Sequence, residues 1–109
     1  MDLKVLQERI KANSKLTPSY KISTLEEQEI LARTVKLNEE VGELCNDILA
    51  VLKMQRKSKL EKFDKRNFYE EFADVLLSTM QLANAAHVDV ERAVHDKMKK
   101  IEEKYRKDH

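Results

Sequence analysis

Residues 24–54 read TLEEQEILARTVKLNEEVGELCNDILAVLKM. Apolar residues at Ile30, Leu37, Val41, Leu44, Ile48 and Val51 follow the three-and-four spacing of one helix face, not the alternation of a strand. Thr24 and Glu27 give the stretch a start signal, a capping box in which hydroxyl and carboxylate satisfy free backbone donors. The spacing predicts a helix from about residue 25 to about residue 54. Lys36, Glu40, Glu43 and Asp47 form a second stripe immediately beside the apolar seam, so acids border a core.

A second run of the same kind spans residues 67–86. Phe68, Phe72, Val75, Leu76, Thr79, Met80 and Ala83 define its broad apolar face, and Glu71, Asp74, Ser78 and Gln81 its edge. Each run carries a pair of acids three residues apart, Glu40 with Glu43 and Glu71 with Asp74. On a helix such residues point the same way, with Cβ atoms roughly 5–6 Å apart. Two helices packed face to face bring all four carboxylates to one point, where they repel each other and resist desolvation. A cation relieves that, and an all-oxygen set suits Mg²⁺ or Mn²⁺. In a chain with 38% charged residues, the alternative is ordinary surface acids recurring at this spacing.

The rest of the chain agrees with an all-α fold. Its 109 residues correspond to one domain, and one Gly, one Pro and no Trp leave little for hairpins or a glycine-rich phosphate loop. Leu3, Leu6 and Ile10 mark a first helix ending near Asn13, with a loop at Thr17, Pro18 and Ser19. Lys53 to Arg66 is a basic run read as a linker. Asp89 reads as the N-cap of a last helix with Glu91 in its first turn, and Val90, Val94, Met98, Ile101 and Tyr105 as that helix's buried stripe. The expected architecture is an antiparallel bundle of about four helices. A single cysteine, Cys45, has no mate for a disulfide and reads as a small core residue; with no leader-like apolar start, a cytoplasmic location is expected. No stretch approaches the ~20 apolar residues of a membrane span, and a formal net charge of +1 argues against nucleic-acid binding.

Lys36-Leu37-Asn38-Glu39-Glu40-Val41-Gly42-Glu43-Leu44 and, further on, Glu71-Phe72-Ala73-Asp74-Val75-Leu76 resemble the signature of MazG-like all-α nucleoside triphosphate pyrophosphohydrolases, EExxE followed by ExxD. The likeness runs over about residues 25–105, through Leu82-Ala83-Asn84, Val88-Asp89-Val90-Glu91, Lys97 and Lys104-Tyr105. It implies Mg²⁺-assisted hydrolysis of a nucleoside triphosphate to monophosphate and pyrophosphate, a task of nucleotide-pool housekeeping among relatives. It also implies that Glu40, Glu43, Glu71 and Asp74 hold metal, with Glu39 either a further ligand or the group that orients the attacking water. The chemistry is consistent, because a carboxylate cluster repels a triphosphate unless divalent ions bridge the two.

Lys97, Lys100 and Lys104 line one side of the last helix and are candidates for phosphate contacts, Lys97 first. Relatives often carry an asparagine close after that lysine, where this chain has Met98, Lys99, Lys100 and Ile101. Asn84 reads either as a hydrogen-bonding partner for a base edge or as a helix-end residue, and Tyr105 as core or as a stacking surface. The histidines are assigned no metal, since His87 sits near a helix end, His95 lies off the last helix's seam and His109 is terminal; a di-iron bundle is disfavoured because Glu91 and His95 are four apart, not the three of a Glu-x-x-His motif. Two other readings stand beside the enzyme: a non-catalytic helical interaction module and a nucleotide sensor without turnover. Long helices with wide apolar faces in so short a chain predict a homodimer or homotetramer; the family resemblance agrees, and it implies that the base and sugar pocket is built partly by a neighbouring subunit.

Overall fold

The computed structural model describes residues 2–13, 15–16, 20–52 and 65–108. These form four helices, α1 (Leu3–Ala12), α2 (Leu25–Val51), α3 (Lys65–Ala85) and α4 (Val90–Asp108), with no strand among the described residues. Caps set their boundaries. The Asp2 carboxylate accepts the Lys4 N–H at 2.9 Å to start α1. At α2 the Glu27 N–H donates to Thr24 Oγ1 at 3.0 Å, and the Thr24 N–H donates back to Glu27 Oε1 at 3.3 Å, which completes the expected capping box.

Two boundaries differ from expectation. Helix α2 stops at Val51 with Leu52 as its cap, short of Met54, and α3 starts at Lys65, inside the run read as a linker. Lys and Arg are good helix formers, so a basic composition alone does not stop a helix. Residues 53–64 and the Thr17-Pro18-Ser19 loop lie outside the described residues.

The turn from α3 to α4 is a Schellman motif: the His87 N–H donates to the Asn84 carbonyl at 3.2 Å and the Val88 N–H to the Ala83 carbonyl at 2.8 Å. His87 takes the left-handed conformation there (φ 59) that the motif requires. Asp89 then caps α4, accepting the Arg92 N–H on Oδ1 at 3.2 Å.

Among the described residues, α2 and α3 are the one pair of helices packed extensively on each other. Their contact joins Arg33 Nη1 to Gln81 Oε1 at 3.3 Å, and farther along joins Asp47 to Glu71. Most buried and half-buried positions recur at three and four residues, Ile30, Arg33, Leu37, Glu40, Leu44 and Asp47 on α2 and Phe68, Glu71, Val75, Ser78, Leu82 and Ala85 on α3, with Ile48, Ala50 and Ala83 covered beside that row. This is a heptad seam in which apolar and polar side chains alternate along most of its length.

The expected seams hold in part, with Ile30, Leu37, Leu44 and Ile48 on α2 and Phe68, Val75 and Ala83 on α3 covered, but the contact is rotated toward the acids. On α2, Glu40 and Asp47 lie in the contact instead of beside it, while Val41 and Val51 face outward. On α3, Ser78 moves from the expected edge to a buried position, and Phe72, Leu76 and Met80 are exposed. Cys45, expected in the core, is exposed because it sits about 100° around the helix from Leu44. The expected buried stripe of α4 is not buried: Val94, Met98, Ile101 and Tyr105 are exposed and only Val90 is half-buried, because α4 does not pack along the α2–α3 pair. The radius of gyration, 20.5 Å, records the same openness, against about 13 Å for a compact chain of this length.

Candidate functional site

The heptad seam fixes where the acids lie. Glu40 and Glu43 are one turn apart on α2, and Glu71 and Asp74 one turn apart on α3, the helix packed against it. Glu40 is buried, with 8% of its surface exposed. Its compensation is Lys36 one turn earlier, whose Nζ lies 3.0 Å from Glu40 Oε1 and 3.6 Å from Glu39 Oε2. The hydrogen bond to Glu40, then the charges of Glu39 and Glu40, raise the Lys36 ammonium above the ordinary lysine value.

The acids act on one another across the seam. Glu43 is raised above the usual carboxylate value, first by the charge of Glu40, then by partial burial and Glu39; Lys36 opposes the shift, and Asp74 adds to it from α3. Glu71 is raised to about 7, first by burial, then by its hydrogen bond to Asp47, then by the charges of Asp47, Glu43 and Asp74. The Asp47 carboxyl meets Glu71 across the seam, and that contact favours the protonated form of Glu71. Glu71 Oε2 is in addition buried with no hydrogen-bond partner. An orphaned carboxylate oxygen in a field of like charge is under-compensated.

Of the four acids singled out by the sequence, Glu40 and Glu71 lie in the seam and Glu43 and Asp74 are exposed beside it; the charges of Glu40 and Asp74 act on Glu43, and those of Glu43 and Asp74 on Glu71. Asp47 joins them, and sequence reasoning gave it no role. The signal was present in its spacing, since Asp47 lies seven residues after Glu40 and so returns to the same line of the helix. Glu39 is exposed, on a side of α2 about 100° from Glu40. Asn84 is exposed near the end of α3, its carbonyl engaged in the turn. Lys97 and Lys100 are exposed on α4 and are not gathered to the acids; Lys100 lines a shallow groove of about 230 Å³ with Glu103, Lys104 and Lys107. His95 pairs only with its neighbour Asp96, at 3.5 Å.

Among the described residues, no three or more His, Cys, Asp or Glu side chains close around one point as a ready-made metal cage. The donor set nevertheless fits a hard divalent cation. It is carboxylate throughout, its charges raise the proton affinity of Glu43 and Glu71, and a buried Glu71 oxygen has no hydrogen-bond partner. Among the described residues, no helix is long and apolar enough to cross a membrane.

No curated protein and no solved structure matches the chain significantly. A family model does: that of the MazG nucleotide pyrophosphohydrolase domain matches residues 27–109, a span that begins in the first turn of α2 and takes in the whole acidic seam and α4. With more than half of its length under that model, and both acid pairs on two helices packed together, the chain belongs to the MazG nucleotide pyrophosphohydrolase domain family.

Proposed function

We propose that this protein hydrolyses a nucleoside or deoxynucleoside triphosphate to the monophosphate and pyrophosphate, with Mg²⁺ as its cofactor and Mn²⁺ as a substitute. The observation that carries the reading is the α2–α3 seam, where the charges of Glu43 and Asp74 act on Glu71 and a Glu71 oxygen has no partner, inside the span matched by the family model. Glu40, Glu43, Glu71 and Asp74 would hold the ion. When bound it would neutralise phosphate oxygens and lower the pKa of a water positioned for in-line attack on phosphorus.

The chain's own groups divide the remaining work. Glu39, exposed beside the seam, serves as a further ligand or takes a hydrogen bond from the attacking water. Lys36 neutralises Glu39 and Glu40 in the free protein, and its contact with Glu40 must loosen if a dication takes over that role. Lys97 and Lys100 supply positive charge to phosphate oxygens, and Asn84 a hydrogen bond to the base. The lysines stand on a helix that does not pack along the acids of its own chain, so we place them against substrate held by a neighbouring copy. The assembly is accordingly read as a homodimer or homotetramer of antiparallel bundles, and the role as clearance of unwanted nucleotides in the cytoplasm, with no stable nucleic-acid partner.

Pyrophosphate release from a panel of ordinary and oxidised ribo- and deoxyribonucleoside triphosphates, with Mg²⁺ and with EDTA, tests the proposal. Release that requires Mg²⁺ supports it. Nucleotide and metal binding without release would make the protein a sensor. Neither metal binding nor release would leave a helical interaction module.

A further inference from the structure

Helix α2 has a second apolar face. Leu31, Val35, Asn38, Gly42, Cys45, Leu49 and Leu52 recur at alternating spacings of four and three residues. At 100° per residue they cluster on the side of α2 opposite Glu40 and the α3 contact. All seven are exposed: Leu31 45%, Val35 59%, Leu49 39% and Leu52 61% among the large ones. A heptad repeat of this length is the pattern of a helix that packs along another helix, and among the described residues no helix packs extensively on it.

Gly42, at the middle of the stripe, is the chain's one glycine. A glycine in a helix interior weakens the helix relative to alanine, and is explained where the backbone needs a left-handed turn or where something approaches closely. Here φ is not positive and a Cβ added at Gly42 would meet nothing within 4 Å, so neither need arises inside the chain. The close neighbour is external. Cys45 beside it is also small, and Asn38 is the one polar side chain in the row, the kind of residue that fixes register in a helical seam.

We infer that this outer stripe of α2 is the surface on which a second copy of the chain packs a helix, with the backbones closest at Gly42. The inference rests on the oligomeric reading above and gives it a place. Two observations favour a second copy over an unrelated partner. The chain exposes 10029 Å² at 12.8 kDa, where a compact monomer of that mass exposes about 6,300 Å², so the excess of roughly 3,700 Å² is several times the ~800 Å² per partner of a stable interface. The stripe also carries no ionised side chain in its seven positions. A two-fold contact sets a patch against its own copy, and a patch without ionised side chains opposes no like charges there.

Sedimentation equilibrium over a range of protein concentrations, on the full chain and on Gly42→Phe, is the first test. The Cβ of the new side chain meets nothing within 4 Å inside one chain, so the helical spectrum should be retained while the mass falls to a smaller species. Cys45 is the chain's single cysteine, so a short bis-maleimide applied to the unsubstituted protein reports on the same face independently; a covalent dimer formed in high yield at low protein concentration is expected. Wild-type mass in folded Gly42→Phe, or no covalent dimer from an oligomeric wild-type protein, overturns the assignment of the face and leaves the oligomer standing. A wild-type protein that sediments at 12.8 kDa throughout overturns both. If Gly42→Phe loses its helical spectrum, the cross-linking result alone decides.

Discussion

The α2–α3 seam and helix α4 are both amphipathic in sequence, yet only the first is covered. Along the seam, Ile30, Leu37 and Leu44 alternate with Arg33, Glu40 and Asp47, and α3 answers with Phe68, Val75 and Leu82 interleaved with Glu71 and Ser78. Along α4, Met98 and Ile101 form a cleaner stripe, with 47% and 49% of their surface open. A uniformly apolar seam would be expected to hold two helices more firmly. The contact found within the chain is the one loaded with carboxylates, and this is the mark of a region shaped for chemistry at a cost in stability. The lesson is that periodicity shows a helix has a face to cover, while the identity of the cover depends on which surfaces of the assembly meet.

The sharpest way to break the comparison is to remove charge from the seam. Glu43→Gln or Asp74→Asn should lower kcat/KM by about 100-fold or more, since even changes one shell removed from a metal cost 10–100-fold. Both should melt in EDTA at the same temperature as the parent or higher, because Glu43 is raised by the charges of Glu40, Glu39 and Asp74 and loses that repulsion when neutral. Lys97→Ala on α4 should act mainly on KM. Full turnover in Glu43→Gln and Asp74→Asn would mean that the seam is not the reaction centre.

Truncating one apolar residue in each region separates packing within the chain from packing between chains. Leu44→Ala, half-buried in the seam, should cost about 2 kcal/mol at any protein concentration, the low end of the range for such deletions. Ile101→Ala should cost little in a dilute, dissociated sample and more as concentration rises and copies associate. Urea titrations at two concentrations a hundredfold apart measure both. Equal concentration dependence for the two variants would erase the distinction.

Much of the fold was readable because its signals are local. The Thr24–Glu27 capping box, the Asp89 cap and the three-and-four spacing of α2 and α3 each depend on residues within a turn or two of each other. What could not be read was the rotation of each helix about its axis. Val41 and Leu44 are equally apolar, and only the shape of α3 decides that Leu44 turns inward with Glu40 while Val41 turns out. The acids were legible as a group because their spacing is local. Asp47 was not given a role, because its meaning arises from Glu71 on another helix, and nothing within a turn of Asp47 announces that contact.

A smaller effect separates the regions by pH. Glu71 holds its proton up to about 7 in the folded chain, against 4.5 ordinarily, so between those values the folded state binds more protons than the unfolded one. Its contribution to stability is full below about 4.5, declines as pH rises and is lost above about 7. In EDTA the melting temperature should fall as pH rises through this window, and Glu71→Gln should flatten that part of the curve. Saturating Mg²⁺ should oppose the fall, since a bound dication favours the ionised carboxylate. A parent curve that is flat in EDTA from pH 5 to 7.5 would contradict the assignment.

The smallest effect lies at the joint between the two regions. His87 occupies the left-handed position of the turn that ends α3 and launches α4, where a residue with a Cβ is disfavoured by about 1 kcal/mol relative to glycine. Its ring Nε2 also meets Glu26 in the first turn of α2, which ties the turn to the far end of the seam. Both groups are mostly exposed, and exposed pairs contribute about 0–1 kcal/mol, so the two effects oppose each other at similar size. His87→Gly should therefore shift stability by no more than about 1 kcal/mol, in the stabilising direction where high salt has already weakened the Glu26 contact. Glu26→Gln separates the terms: His87→Gly made in that background should stabilise by more than the same change in the parent chain. Equal gains in both backgrounds would show that the Glu26 contact does not restrain the joint, leaving the direction of α4 to the backbone of the turn and to whatever covers its stripe.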